Sequence, residues 1–296
     1  MLRLDGIGRR ILVATHRRSG THLLIDLLRR QFAATQAKKW FGERTDSLYL
    51  AIERIDGVGV DGSRSDQPQL CDREVLRILR RANRPLLKTH GTPGFEDWRP
   101  PARELIKQLR HNSDTVYVHR DGRDVLCSLY VYMRGFAPWA RVPLSEFLRQ
   151  SVNGRSRVQV WADHVRAWAR EEGVISLSFN DVVRRPADVV SGLSEGLSLP
   201  ALNVVPLLPS RPHTVWHSRW QRLTSRSPQS TAIIAAGSLS QQTRDWRACF
   251  DRDDRAFFAD HAGEMLIELG YENSVDWVDN PPEPKRRREH LSRSAR

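Results

Sequence analysis

Apolar residues form short continuous runs that alternate with longer stretches of helical spacing. The runs, each bounded by glycine, proline or polar residues, predict buried β-strands at 11–14, 85–90, 115–120 and 174–179. Apolar positions three and four apart predict helices at 21–32, 72–82, 124–133, 157–172, 186–197 and 257–269. This alternation predicts an α/β fold, with a mainly parallel central sheet flanked by helices on both faces.

Two long segments break the alternation. Residues 38–68 mix aromatic residues with Gly, Asp and Ser, and residues 200–237 are rich in Pro, Ser and Arg without a clear period. We interpret both as surface loops that border a ligand site.

Composition adds bounds to this picture. The chain has 296 residues and a formal net charge of +12. That length suits one α/β domain, which we place at 1–280, followed by a basic and disordered tail at 281–296. We find no apolar run long enough to span a bilayer, no secretory signal and no metal-ligand spacing among the three cysteines. These features favour a cytoplasmic protein.

The first predicted strand leads through a basic loop, residues 15–20, into the first helix. Gly20 permits a backbone conformation that other residues resist. A strand that enters a helix through such a loop directs free N–H groups and the positive end of the helix at one point. The pattern predicts an anion site, most often one for phosphate.

Two further predicted strand ends carry polar side chains, and the carboxyl ends of parallel strands meet at one edge of a sheet. They supply Lys88 and His90, and then Arg120 with Ser128 eight residues later. The first loop has one glycine and no lysine after it, so it is not a Walker A sequence. A nucleotide phosphotransferase therefore fits poorly but stays an alternative.

The same segments, taken in order, resemble the sulfotransferases that use 3′-phosphoadenosine 5′-phosphosulfate (PAPS). Residues 15–23 resemble the family's Tyr-Pro-Lys-Ser-Gly-Thr-Thr-Trp motif, and residues 88–93 its Lys-Thr-His-Leu-Pro motif. Residues 117–128 resemble Tyr-x-x-Arg-Asn-x-x-Asp-Val-x-x-Ser, with Asp121 in place of the asparagine. Weaker likenesses at 161–168, 179–186 and 244–247 extend the resemblance to about residue 270.

The resemblance implies a P-loop-like sulfotransferase fold and a role for each matched residue. His90 would be the general base, and Lys88 and Arg18 would neutralise charge on the leaving phosphate. Ser19, Gly20, Thr21 and His22 would hold the 5′-phosphate through backbone N–H groups. Arg120 and Ser128 would hold the 3′-phosphate, while Phe179 would keep the stacking of the family's tyrosine. The product would be adenosine 3′,5′-bisphosphate, and no metal is expected.

The chain departs from the family pattern at several of these positions. Arg18 stands in place of lysine, and His22 in place of threonine. The family's Arg-Lys-Gly is missing, because Leu239, Ser240 and Gln241 occupy its positions. We expect the third 3′-phosphate contact to come from Arg244, Arg247 or an arginine of residues 211–226.

The acceptor is not readable from the sequence. Aromatic residues in the long loops suit an apolar phenol or steroid or the face of a sugar, and their arginines admit an acidic saccharide. The high positive charge leaves open a non-catalytic polyanion-binding protein, although we find no nucleic-acid motif and expect no nucleic-acid partner. A homodimer is also possible.

Overall fold

The structure, a computed structural model, describes residues 2–56, 69–94, 102–135, 137–209, 215–231 and 245–284. The chain divides into two compact units, Met1–Arg120 with Asp163–Ser238 and Asp121–Ala162 with Leu239–Arg296. The predicted single domain stays a prediction. The predicted disorder of the tail beyond residue 284 and the expected contact from Arg244 lie outside the described residues.

The chain contains strands and helices in alternation over much of its length. The strands are β1 (Arg10–Thr15), β2 (Leu50–Ala51), β3 (Leu86–Thr89), β4 (Ser113–His119), β5 (Ser151–Val152), β6 (Arg155–Ser156) and β7 (Val174–Ser178). The helices are α1 (Thr21–Gln31), α2 (Glu53–Asp56), α3 (Asp72–Leu79), α4 (Ala102–His111), α5 (Gly122–Arg134), α6 (Leu144–Arg149), α7 (Arg157–Ala169), α8 (Phe179–Arg184), α9 (Pro186–Gly196), α10 (Val215–Thr224), α11 (Trp246–Cys249) and α12 (Arg252–Glu268).

The first unit is built on a five-stranded sheet in the order β2-β3-β1-β4-β7, and all of its pairings are parallel. The four strands predicted from apolar runs are its four longer strands. Val13 in β1 aligns with Lys88 in β3 and with Val116 in β4. The register therefore brings the loops that follow these three strands to one edge of the sheet, as predicted.

Alternating side chains of β4 show that helices cover both faces of the sheet. Val116 and Val118 belong to the buried cluster that includes residues of α1 and α9. Tyr117, between them, points to the other face, where it stacks on Trp168 of α7 with ring centroids 5.7 Å apart. The predicted α/β architecture is confirmed.

Some element bounds differ from the prediction because polar caps outweigh apolar spacing. The strand predicted to reach residue 179 ends at Ser178, whose side chain accepts a hydrogen bond from the N–H of Asn180 and so begins α8. Helix α12 begins at Arg252, five residues early, because Asp251 caps it by accepting from the N–H of Asp254. The two segments interpreted as loops contain β2 and α2, and α10, respectively.

The second unit comprises α5, α6, α11 and α12, the two-stranded β5–β6 pair and the first part of α7. The guanidinium group of Arg123 lies in its core and pairs with Asp121 (2.8 Å) and Glu272 (2.6 Å). It also lies over the rings of Trp246, at 3.9 Å, and Trp277, at 4.4 Å. This cluster joins the start of α5 to the C-terminal helices of the same unit.

Among the ranges that the structure describes, none of the helices has both the length and the apolar character needed to cross a membrane.

Candidate active site

The loop between β1 and α1 takes a conformation that depends on two left-handed residues. Arg18 has φ +72°, and Gly20, the N-cap of α1, has φ +110°. The ring of Phe179, the first residue of α8, packs directly on Gly20. A Cβ atom added at Gly20 would lie 2.5 Å from Cδ2 of that ring. Glycine is required here both by the backbone and by the aromatic contact.

Arg120 joins this loop from the end of β4. Its Nη1 donates a hydrogen bond to the carbonyl oxygen of Arg18 (3.3 Å), and its guanidinium carbon lies 4.8 Å from the centroid of the Phe179 ring. The structure therefore brings together Arg18, Gly20, Arg120 and Phe179, which the sequence places far apart. A cation and an aromatic face at a helix N-terminus suit a ligand that carries a phosphate and a planar ring.

The start of α1 provides donors for an anion. The first N–H groups of a helix have no partner within it, and the first turn of α1 contains no acidic residue. The N–H of Ser19 is used inside the loop, where it donates to the carbonyl of His16 (3.2 Å). Its hydroxyl Oγ is buried and has no hydrogen-bond partner in the described part of the chain. An orphaned buried hydroxyl in this loop fits a phosphate oxygen as its partner.

The ring of His90 is fixed through Nδ1, which lies 2.9 Å from the carbonyl oxygen of Thr15. A carbonyl only accepts hydrogen bonds, so Nδ1 carries the proton in the neutral ring and the lone pair is on Nε2. The hydroxyl of Thr15 is 3.2 Å from the same nitrogen and 2.6 Å from the hydroxyl of Thr21 at the start of α1. The predicted base is thus tied to the predicted anion loop.

The backbone around His90 is held by three side chains that the sequence did not assign to the site. Oε1 of Glu53 accepts from the N–H of His90 (2.6 Å) and from the hydroxyl of Thr89 (3.0 Å). Nε2 of His164 donates to the carbonyl of His90 (3.1 Å), and Nε1 of Trp168 to that of Gly91 (3.0 Å). These hydrogen bonds fix the position of the backbone from which the His90 side chain extends.

Sequence signals for these three residues were weak. Glu53 belongs to a segment that we interpret as a loop, and no pattern near it predicts a contact with the end of β3. His164 and Trp168 have helical spacing on α7, which favours core packing. Both are buried as expected, and they use their polar atoms on backbone carbonyls.

Burial and positive charge set the protonation of the site. Burial lowers the pKa of His90 well below its ordinary value, and the charges of Lys88 and Arg17 lower it further. Burial likewise lowers the pKa of Lys88, although Glu53 opposes the shift. His90 is therefore neutral near pH 7, which is the state required of a base.

Lys88 and His22 meet around Tyr49. Nζ of Lys88 lies 5.8 Å from the centroid of the Tyr49 ring, and the His22 ring packs edge-on against Tyr49 with centroids 5.8 Å apart. Nδ1 of His22 is also 2.9 Å from the hydroxyl of Thr231. Thus His22, at the start of α1, contacts two other segments of the first unit, one at Tyr49 and one at Thr231.

Ser128 and Arg247, the remaining predicted site residues, belong to the second unit. Ser128 is buried on α5. Arg247, on α11, donates to Oδ1 of Asp245 (3.1 Å) and lies over the ring of Trp246 at 4.7 Å. Their expected contacts with a 3′-phosphate stay predictions.

Comparisons with known proteins bear on the whole chain. A family model described as a sulfotransferase domain matches residues 8–270. No curated protein is similar to the chain at a significant level.

Several solved structures are similar to the chain at low sequence identity. One is mouse sulfotransferase SULT7A1 complexed with PAP, with 16% identity over 94% of this chain and 91% of that chain, at a TM-score of 0.48. Another is the sulfotransferase domain from the curacin biosynthetic pathway, with 16% identity over 89% of this chain and 98% of that chain, at a TM-score of 0.47. A third is a sulfotransferase from Alicyclobacillus acidocaldarius, with 15% identity over 92% of this chain and 99% of that chain, at a TM-score of 0.46.

The family match covers most of the chain and includes all three strand-end motifs from which the resemblance was inferred. Sequence motifs, sheet topology and family model agree, and this chain belongs to the sulfotransferase-domain family.

Proposed function

We propose that this sulfotransferase takes the sulfuryl group from PAPS and transfers it to a hydroxyl or amine of a small-molecule or saccharide acceptor, with His90 as general base. The observation that carries the proposal is the fixed tautomer of His90, tied through Thr15 and Thr21 to the anion loop. A base with a free Nε2 beside an anion site is what transfer from a bound anionic donor requires.

The residues of the first unit fit the two ends of such a donor. The N–H groups at the start of α1, the orphaned hydroxyl of Ser19 and the charge of Arg18 suit the 5′-phosphosulfate. Arg120 beside the Phe179 ring suits the 3′-phosphate next to a stacked purine. We assign further 3′-phosphate contacts to Ser128 and Arg247.

In the reaction, Nε2 of His90 accepts the proton of the acceptor group as its oxygen or nitrogen bonds to sulfur. The bond from sulfur to the bridging oxygen breaks, and the electron pair remains on the departing bisphosphate. Lys88 and Arg18 stabilise the negative charge that develops there. Because Lys88 and Arg17 lower the pKa of His90, a bound anion between them raises its basicity when the donor is present.

Donor binding tests the proposal without knowledge of the acceptor. We expect adenosine 3′,5′-bisphosphate to raise the melting temperature of the protein in the presence of a metal chelator. We expect a smaller effect from ATP with magnesium or from an oligonucleotide. Arg120→Ala should weaken bisphosphate binding about tenfold or more, measured by calorimetry, because a charge-assisted contact to phosphate is lost.

Arg9→Ala is the matched control, since Arg9 is an exposed arginine at the opposite edge of the sheet and should leave affinity unchanged. A larger and magnesium-dependent shift with ATP would instead indicate a phosphotransferase. Stabilisation by the oligonucleotide alone would indicate a polyanion-binding protein. Equal affinity in Arg120→Ala would remove Arg120 from the site.

A further inference from the structure

Five large apolar side chains of the first unit are exposed in two neighbouring segments. Trp40 is 68% exposed and Phe41 76%, and on α10 Trp216, Trp220 and Leu223 are 73%, 59% and 54% exposed. We call these five residues the tryptophan surface. Soluble proteins seldom leave so many large apolar side chains in water together, and such a patch usually marks an interaction site.

The two segments form one surface. Residues 216, 220 and 223 share one face of α10, and the rings of Trp216 and Trp220 stack with centroids 6.4 Å apart. Just beyond α10, the guanidinium of Arg226 lies 5.5 Å from the centroid of the Trp40 ring. The N–H of Lys39 also donates to the carbonyl of Arg226 (2.9 Å).

Buried side chains of α1 hold the segment that follows α10. Arg29 donates to the carbonyl of Pro228 (3.2 Å) and to the hydroxyl of Ser227 (3.0 Å). The carboxylate of Asp26 accepts from the N–H of Thr231, at 2.9 Å and 3.0 Å. The backbone that follows α10 is therefore held firmly beside the exposed tryptophan surface.

The surroundings of this surface are positively charged. Arg219, Arg226 and Lys38 are exposed beside the aromatic residues. The carboxylate of Glu43 accepts from the N–H of Trp40, and its charge is balanced by Arg77 and Arg81. The sequence contains no Asp or Glu from residue 196 to residue 244, while the same stretch has five arginines. A partner with negative charge and an apolar layer complements these features.

We propose that the tryptophan surface docks on the surface of an anionic lipid bilayer. Tryptophan and phenylalanine rings enter the boundary between headgroups and acyl chains, while arginines pair with lipid phosphates. A polysaccharide or nucleic acid would use the charges but would leave much of this apolar area in water. A second copy of the chain, docked symmetrically by the same face, would bring two faces that both carry Arg219 and Arg226 together, and like charges repel. The proposal does not depend on the identity of the sulfuryl donor.

Vesicle binding by the full chain tests the proposal. We expect it to sediment with vesicles of phosphatidylcholine mixed with phosphatidylglycerol, and much less with phosphatidylcholine alone. Trp216→Ser with Trp220→Ser should weaken this partition at least about tenfold, and so should Arg219→Glu with Arg226→Glu. Brominated lipids should quench tryptophan fluorescence in the wild type and much less in the tryptophan variant.

Trp139→Ser is the matched control, because Trp139 is an exposed tryptophan of the second unit, and it should leave sedimentation unchanged. Bisphosphate binding is measured separately for each variant and reports on the donor site alone. Absence of bisphosphate binding would therefore count against the proposed function and not against docking by the tryptophan surface. If the tryptophan variant does not fold, the arginine variant and the quenching experiment decide.

Two results would overturn the proposal. The first is absence of vesicle binding in the wild type; retention on heparin would then indicate a polyanion partner, and a dimer, seen by light scattering, that Trp216→Ser with Trp220→Ser dissociates would indicate a second copy of the chain. The second is undiminished vesicle binding by the tryptophan variant, which would assign the binding to another basic part of the chain.

Discussion

The two nitrogens of the His90 ring have different environments, and this decides what the ring does. Nδ1 is held by the carbonyl and hydroxyl of Thr15, so that Nε2 keeps the lone pair. The backbone N–H and C=O of the same residue are bonded to Glu53 and His164. His90 is therefore oriented from both sides before any acceptor arrives, which limits the entropy lost in the proton transfer.

Replacement of His90 by glutamine should separate chemistry from donor binding. Glutamine keeps a polar side chain but does not act as a base, so we expect kcat to fall about 10²-fold to 10⁴-fold, the usual contribution of general base catalysis. Affinity for adenosine 3′,5′-bisphosphate should change little. Transfer of radiolabelled sulfate from PAPS to a phenol, steroid or saccharide that the wild type sulfates measures kcat, and calorimetry measures the affinity for the bisphosphate.

The control is His111→Gln, at the end of α4 and exposed, which should have wild-type kcat. Wild-type turnover in His90→Gln would contradict the role of His90 as base. Loss of bisphosphate affinity equal to the loss of kcat would instead make His90 a donor-binding residue.

At the scale of elements, the β1–α1 loop shows what the sequence can and cannot predict. The strand, the loop and the helix were predicted from apolar spacing and from Gly20. The left-handed backbone of Arg18 was not, because non-glycine residues with positive φ carry no local signal. Nor did the sequence predict Glu53, whose contact with His90 depends on a two-residue strand within a segment of irregular pattern. Long-range contacts of this kind come from the packed sheet rather than from local spacing.

Gly20→Ala tests how strongly α1 and α8 depend on each other. The new Cβ would meet the Phe179 ring at 2.5 Å, and the φ of +110° is unfavourable for alanine. We expect a loss of about 2–3 kcal/mol in the free energy of unfolding from backbone strain and overpacking, measured in urea. Bisphosphate binding should weaken as well, because the Phe179 ring must move.

Gly6→Ala supplies the matched control for this change. Gly6 also has a positive φ, +75°, but a Cβ atom there would contact nothing within 4 Å. Gly6→Ala should lower the free energy of unfolding only by the cost of backbone strain, and it should leave the affinity for the bisphosphate unchanged. If the two variants lose equal stability and both keep full affinity, the contact between Gly20 and Phe179 has no role in the site.

At the scale of the whole molecule, buried titratable groups make stability depend on pH. Burial lowers the pKa of His119 to about 4, and burial together with the charge of His16 lowers that of His164 to about 3. The pKa of His90 is lowered too. As the pH falls from 6 towards 4, the unfolded chain takes up these three protons ahead of the folded chain, so the free energy of unfolding falls. Burial raises the pKa of Asp26 to about 6, although Arg29 opposes the shift, and this carboxyl acts in the opposite direction.

Three histidines against one carboxyl leave a net uptake of roughly two protons on unfolding, or about 3 kcal/mol per pH unit in that range. Urea denaturation at pH 6, 5 and 4 should show this slope. His119→Gln should reduce the slope by about 1.4 kcal/mol per pH unit, because it removes a group that takes up a proton on unfolding. Asp26→Asn should steepen the slope by a similar amount, because it removes a group that releases a proton on unfolding. A stability that rises on acidification would show that the folded chain binds more protons than the unfolded chain in this range, which would contradict a net effect of neutral buried histidines.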